Sequence, residues 1–197
     1  MNTEKHRVAI IGCGSMGQIY ANVYKSFPNI EIIAIAERDP ARRRHVGEWL
    51  GVTAMYPDAE ALFGDLVPDI AAIITPTKYY MEAVIAAAEA GVKGVSTDKP
   101  LEATLANADR MVEICAARGV IFAGGALMGA LPELQEAATW LREGRYGDLK
   151  GAAVLNWHGE ISGSGCHAIS ILRLLTGAEV KEVVTWGSPK DVLSGNS

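Results

Sequence analysis

The sequence has 197 residues, of which 49% are hydrophobic, and a formal net charge of −5. That is enough chain and apolar content for one large or two small domains, and it lacks the basic excess expected of a partner for nucleic acid or an anionic membrane. Cys13, Cys115 and Cys166 lie far apart in apolar or glycine-rich surroundings. This argues against a disulfide framework or a metal site and for reduced thiols in a cytoplasmic protein. No apolar run approaches the roughly 18 residues that cross a membrane, and residues 1–6 lack the apolar core of a signal peptide.

Taken in order, the chain opens with an apolar run over 8–11 that reads as a buried strand of a parallel sheet. Gly12-Cys13-Gly14-Ser15-Met16-Gly17 follows at G-x-G-x-x-G spacing. Met16, Ile19, Tyr20, Val23 and Phe27 then recur as one apolar face of a helix. Strand, glycine turn and helix in this order put a pyrophosphate on a helix N-terminus. Gly12 makes the tight turn, Gly14 admits the phosphates, and Gly17 lets helix and strand pack closely. The motif gains weight from the next strand, 31–36, which ends on Glu37, twenty residues after Gly17. An acid there accepts hydrogen bonds from ribose hydroxyls, so the pattern predicts a bound nicotinamide dinucleotide.

A helix over 41–50 follows with Pro40 in an early position, and Gly51 ends it. A short strand is expected over 52–56, then a helix from an Asp58 N-cap to residue 66, and a strand over 70–75. The helix over 79–90 closes on Gly91, and 94–97 is the next strand. A helix over 105–118 turns Ala108, Met111, Val112 and Cys115 inward, and a sixth strand covers 120–123. Alternation of this kind means an α/β fold, a Rossmann-type doubly wound parallel sheet. Ligands of such sheets lie beyond the carboxyl ends of the strands. The fourth strand leads there to Thr75-Pro76-Thr77-Lys78-Tyr79-Tyr80, the fifth to Thr97-Asp98-Lys99-Pro100. By themselves these fit an ordinary turn and a solvated lysine as well as they fit a site. Pro100 fixes the backbone and is a candidate for a cis bond.

Together, the glycine motif, the acidic end of the second strand, T-P-x-x-x-Y and D-K-P resemble the glucose-fructose oxidoreductase/inositol dehydrogenase/rhizopine-catabolism (Gfo/Idh/MocA) superfamily. The resemblance implies an NAD(P)-binding Rossmann domain over 1–123. It also implies part of an α/β (α+β) C-terminal domain over 124–197, whose open sheet covers the active site and mediates homo-oligomerisation. Relatives carry E-K-P with a catalytic lysine where this chain has Asp98-Lys99-Pro100. Tyr80 replaces their usual histidine in the turn after strand four, with Glu82 two positions on. The cofactor-binding set implied is Gly12, Gly14, Ser15, Met16, Gly17, Glu37, Arg38, Thr75, Pro76, Thr77, Tyr80, Asp98 and Lys99.

In the C-terminal part a helix over 131–143 turns Leu134, Ala138 and Leu141 to one face. A turn over 144–149 follows, with a strand over 150–157 beyond it. Ser162 to Ser170 parallels the family pattern D-x-G-x-H-x-x-D. Gly165 and His167 match it, while Gly163 and Ser170 stand where relatives have carboxylates. A helix follows to Gly177, then a strand over 180–186. The resemblance makes His167 the proton acceptor, with its orientation supplied by Ser164 or Ser170, and His158 in reserve; His6 and His45 are assigned nothing. An imidazole ordinarily titrates near neutral pH, which suits that role. Lys99 is to polarise the reacting oxygen of a sugar, cyclitol or other polyol while hydride passes between its carbon and the nicotinamide. A lyase, epimerase or glycosidase using NAD, or a non-catalytic dinucleotide-binding protein, is the alternative. Glu37 favours NAD by repelling a 2′-phosphate, whereas Arg38 and the run Arg42 to Arg44 leave NADP open. Relatives continue through further strands beyond the point where this sequence stops.

Overall fold

A computed structural model of the chain describes residues 5–155 and 161–184, apart from the side chains of residues 161 and 162. Its backbone divides into two compact units. One spans Met1–Ala126 with Gly159–Cys166, the other Leu127–His158 with His167–Ser197.

In the first unit strands and helices alternate as β1 (His6–Ile11), α1 (Ser15–Ser26), β2 (Ile30–Ala36), α2 (Pro40–Leu50), β3 (Ala54–Tyr56), α3 (Ala59–Asp65), β4 (Ile70–Ile73), α4 (Tyr80–Ala90), β5 (Gly94–Thr97), α5 (Leu105–Ala117) and β6 (Ile121–Gly124). All ladders are parallel, and the strand order is β3-β2-β1-β4-β5-β6. The order reverses between β1 and β4, the place where a doubly wound sheet opens a ligand crevice. The register sharpens this. Ile11 pairs with both Ala36 and Ile73, and Ile73 with Thr97. Four strand ends therefore lie in one row, and Gly12, Glu37, Ile74 and Asp98 are the residues that leave the sheet together.

Each face of the sheet has its own core. Ala9, Ile11, Ile73 and Val95 pack with Leu62, Val84 and Met111 of α3, α4 and α5. Val8, Ile10 and Ile35 pack with Ala21 of α1 and Val46 of α2. Local chemistry sets the helix ends. Asp39 and Asp58 cap α2 and α3 through side-chain bonds to the N–H groups of Arg42 and Ala61, both 2.8 Å, and Gly51 and Gly91 close α2 and α4 with φ of +72° and +89°.

Two expected inward faces are corrected. On α1 the buried residues are Gly17 and Ala21, while Met16, Ile19, Val23 and Phe27 face solvent. A Cβ on Gly17 would run into the Gly12 carbonyl, so the helix lies close to the turn only with its small-residue face inward. On α5 the inward stripe is Met111 and Cys115 with Ile114 beside them, which turns Val112 outward. β4 is also shorter than expected, since a 3-10 turn, Thr77–Tyr79, precedes α4.

The second unit contains a 3-10 turn, Leu127–Ala130, and α6 (Pro132–Arg142), with Pro132 in the first helical turn and Gly144 and Gly147 at φ of +70° and +80° beyond its end. A π-helical turn, Ile161–Gly165, which belongs to the first unit, runs into α7 (Cys166–Thr176), and Gly177 follows at φ +65°. The strands expected over 150–157 and 180–186 are not formed in their described residues, 150–155 and 180–184. An extended segment becomes a strand only when a neighbour takes up its N–H and C=O groups, and no such neighbour flanks either segment among the described residues. Trp157, His158 and Trp186 lie outside the described residues.

Candidate functional site

The row of strand ends opens on a cleft of about 740 Å³ within the first unit. Six predicted residues line it: Gly12, Gly14, Glu37, Arg38, Thr75 and Pro76. Gly12 turns the chain at φ +91°, and a Cβ there would come within 2.5 Å of the Ile74 carbonyl oxygen. A Cβ on Gly14 would meet nothing within 4 Å and would project into the space where a ligand must lie. Gly14 is also the N-cap of α1 and offers no side-chain cap, so the helix amides are left for a ligand. Ser15 and Met16 sit in that exposed first turn.

Glu37 is 9% exposed and has a defined set of partners. Its Oε2 accepts the Cys13 N–H at 2.9 Å, and its Oε1 accepts the Asp39 N–H at 2.9 Å and Arg42 Nη1 at 3.5 Å. The carboxylate thus ties the glycine turn to the start of α2 while its edge remains on the cleft. Arg43 Nη1 donates to the Glu37 carbonyl at 2.7 Å, which holds one cation of the basic run against the backbone. Burial first, and then the Glu37 charge, push the Cys13 thiol up to about 12, so this cysteine is an inert part of the turn.

Thr75 Oγ1 is buried and has no hydrogen-bond partner among the described residues, so a donor and acceptor is left over at the cleft. Tyr79 lines the cleft where the sequence pointed to Tyr80. The 3-10 turn rotates the pair, so Tyr80 is 2% exposed and lies in the core beneath α4, while Tyr79 takes the Arg38 guanidinium 4.3 Å and the Lys78 ammonium 5.0 Å from its ring centre. Those cations, Lys78 foremost, hold the Tyr79 hydroxyl below its ordinary range. No spacing rule separates two adjacent tyrosines; only the local helix type does. Thr77 is half-buried in the same turn. Glu82, Asp58 and Glu60 also border the cleft; from the sequence Asp58 is only an N-cap, Glu82 is placed only by the family resemblance, and Glu60 has no role.

Beyond β5 the Lys99–Pro100 peptide is cis. Lys99 Nζ donates to the Gly163 carbonyl at 2.7 Å. Asp98 does not turn its carboxylate to the cleft: its Oδ1 accepts the Tyr20 hydroxyl at 3.2 Å. His167 lies in the first turn of α7 and belongs to the second unit. Among the described residues no group of His, Cys, Asp and Glu is arranged to hold a metal ion, and no helix is long and apolar enough to cross a membrane. The uncapped helix, the open space over Gly14, the acid at the end of β2 and the spare Thr75 hydroxyl all fit an adenine dinucleotide.

Residues 6–125 match the Gfo/Idh/MocA model, described as an oxidoreductase family with an NAD-binding Rossmann fold. D-Apiose dehydrogenase of Paraburkholderia graminis is 30% identical over 73% of this chain and 38% of its own length. Myo-inositol 2-dehydrogenase of Thermotoga maritima is 36% identical over 54% of this chain and 32% of its own. Among solved structures, an oxidoreductase from Agrobacterium radiobacter in complex with NAD+, L-tartaric acid and magnesium superposes with a TM-score of 0.77 at 26% identity, covering 88% of this chain and 55% of that one. The chain thus spans about a third of the length of these curated relatives, 38% of one and 32% of the other. With that match over more than half of its residues and the dinucleotide crevice built as described, the chain belongs to the Gfo/Idh/MocA oxidoreductase family and NAD is the cofactor of its Rossmann fold.

Proposed function

We propose that the chain supplies the cofactor unit and part of the substrate unit of an NAD-dependent dehydrogenase. Hydride would pass between the nicotinamide and a carbinol or keto carbon of a sugar, cyclitol or related polyol. The observation that carries this reading is Lys99, two residues past the row of strand ends, with its ammonium held by the Gly163 carbonyl at 2.7 Å. A cation fixed beyond the carboxyl end of β5 is suited to stabilise an alkoxide as it develops, because it needs no reorganisation when the charge appears. The names of the two relatives, a D-apiose and a myo-inositol dehydrogenase, support the substrate class.

The bound nicotinamide supplies or accepts the hydride. This chain's residues do the remaining work. The α1 amides and Gly14 bind the diphosphate, Glu37 accepts the ribose hydroxyls and disfavours a 2′-phosphate, and Lys99 polarises the reacting oxygen. On the family pattern His167 accepts the hydroxyl proton. Gly163 and Ser170 carry no carboxylate, and this favours a second reading, an NAD-using lyase, epimerase or glycosidase that works through transient oxidation. The test is NADH release from NAD with myo-inositol and a panel of aldoses. Lys99→Ala is expected to lower kcat by about 10²–10³-fold with NADH affinity retained. Unchanged turnover in that variant overturns the reading, and product formation without net NADH selects the second.

A further inference from the structure

Two phenols of α1 reach the line of β5. Tyr20 and Tyr24 are one helical turn apart and share a face, and Ser96 and Asp98 are two residues apart and share a side of the strand. They join as two rungs: the Tyr24 and Ser96 hydroxyls lie 2.8 Å apart, and Tyr20 donates to Asp98 Oδ1 at 3.2 Å. The rungs differ in what they hold. Ser96 pairs with Ala72 within the ladder, whose register ends at Thr97, so Asp98 lies beyond its last pair. There the side chains take over. The Asp98 carboxylate is held by Tyr20, and its own N–H faces the buried Tyr80 hydroxyl. Lys99 is the next residue, and its ammonium is already committed to the Gly163 carbonyl. Burial and the Asp98 charge push both Tyr20 and Tyr80 up to about 12, so both hydroxyls keep their protons at any working pH.

We propose that Tyr20 is a positioning residue, whose hydroxyl holds the Asp98 carboxylate and so fixes the backbone from which Lys99 departs. Because α1 also begins at the glycine turn, the tie links the cofactor seat to the lysine. The functional part of the proposal rests on the reading that Lys99 meets the reacting oxygen; the geometric part does not.

The experiment compares Tyr20→Phe with Tyr24→Phe, which removes the neighbouring rung without touching Asp98. The first readout is the acetylation rate of Lys99 by acetic anhydride under saturating NADH, mapped by peptide mass spectrometry with Lys181 as reference. Tyr20→Phe is expected to speed Lys99 labelling severalfold, and Tyr24→Phe to leave it unchanged. The second is turnover of NAD with myo-inositol. There Tyr20→Phe is expected to lower kcat about tenfold, the equivalent of ~1.4 kcal/mol at the barrier, with KM for NAD unchanged. Equal effects of both variants on labelling reduce Tyr20 to helix packing and overturn the proposal. A Lys99→Ala variant that turns over normally defeats the dehydrogenase reading instead, and the labelling result still decides the positioning claim.

Discussion

Ile10, Ile35, Ile73 and Met111 of the first unit are shut away from solvent entirely, whereas Leu155, Val183 and Val184 of the second are 79%, 73% and 80% exposed. All seven are large apolar residues, and the segments around Leu155 and Val183 also read as strands in the sequence. The difference lies in partners. Every strand of the first unit has a parallel neighbour, and helices cover both faces of the sheet, so backbone groups and side chains are satisfied together. In the second unit Ala138 of α6 is fully buried, yet the described segments expected to be strands have no ladder beside them. An apolar run specifies a strand only when something supplies the other half of its hydrogen bonds.

The strongest way to break this comparison is to remove the close packing that organises the first unit. Gly17→Ala drives a Cβ into the Gly12 carbonyl, backbone against which nothing can yield. A loss of more than about 4 kcal/mol is expected, seen as collapse of the cooperative thermal transition followed by far-ultraviolet circular dichroism. Gly14→Ala is the counterpart. Its φ of −66° suits any residue and its Cβ has open space, so the transition should stay within about 0.5 kcal/mol of the parent while NADH affinity falls. If both variants melt alike, the separate roles of the two glycines are wrong.

That contrast marks what the sequence reveals. Gly12 and Gly17 are legible because each answers a backbone demand that no other residue meets, and Gly14 because a side chain there would take up space on the cleft. Glu37 is legible because the strand before it ends where periodicity says it does. Legibility fails where two side chains compete for one direction. Tyr79 and Tyr80 are neighbours, and only the 3-10 turn decides which reaches the cleft. On α1 the apolar stripe of Met16, Ile19, Val23 and Phe27 has the right period, but the close approach at Gly17 turns the opposite face inward. Asp98 reads as a cleft residue until Tyr20, 78 positions earlier, is seen to hold it.

A smaller effect tests the far end of the same sheet. Asp69, at the entry to β4, accepts the Arg7 N–H at 2.8 Å and Lys93 Nζ at 2.8 Å, so it ties the starts of three strands. The Lys93 ammonium, and then the Arg7 N–H, hold its carboxyl below the usual range. A depressed folded pKa means stability that is present above the unfolded value of about 3.9 and is lost as pH falls through the folded one. Asp69→Asn keeps an acceptor for Arg7 but loses the charge, and Lys93 is largely exposed, so about 1 kcal/mol is expected at pH 7 by urea titration. The gap between variant and parent should start to narrow below about pH 4 and close only once pH is under the depressed folded value. A gap that persists there would assign the effect to shape and not to charge.

The smallest expected effect comes from the second unit and is the more telling for being small. Leu155 is as apolar as Ile10, yet its side chain is 79% exposed, so truncation removes little buried surface and leaves no cavity. Leu155→Ala should therefore change stability by less than about 0.5 kcal/mol, whereas Ile10→Ala should cost about 2–5 kcal/mol. Amide exchange reads the backbone side of the same contrast. Ala9 and Ile10 sit in ladders on both sides and should exchange only through global opening, while residues 152–155 should exchange at nearly unprotected rates. Protection at 152–155, or a large loss from Leu155→Ala, would mean that this segment has a strand neighbour after all, and the difference between the units would then lie in which neighbour is present and not in whether one exists.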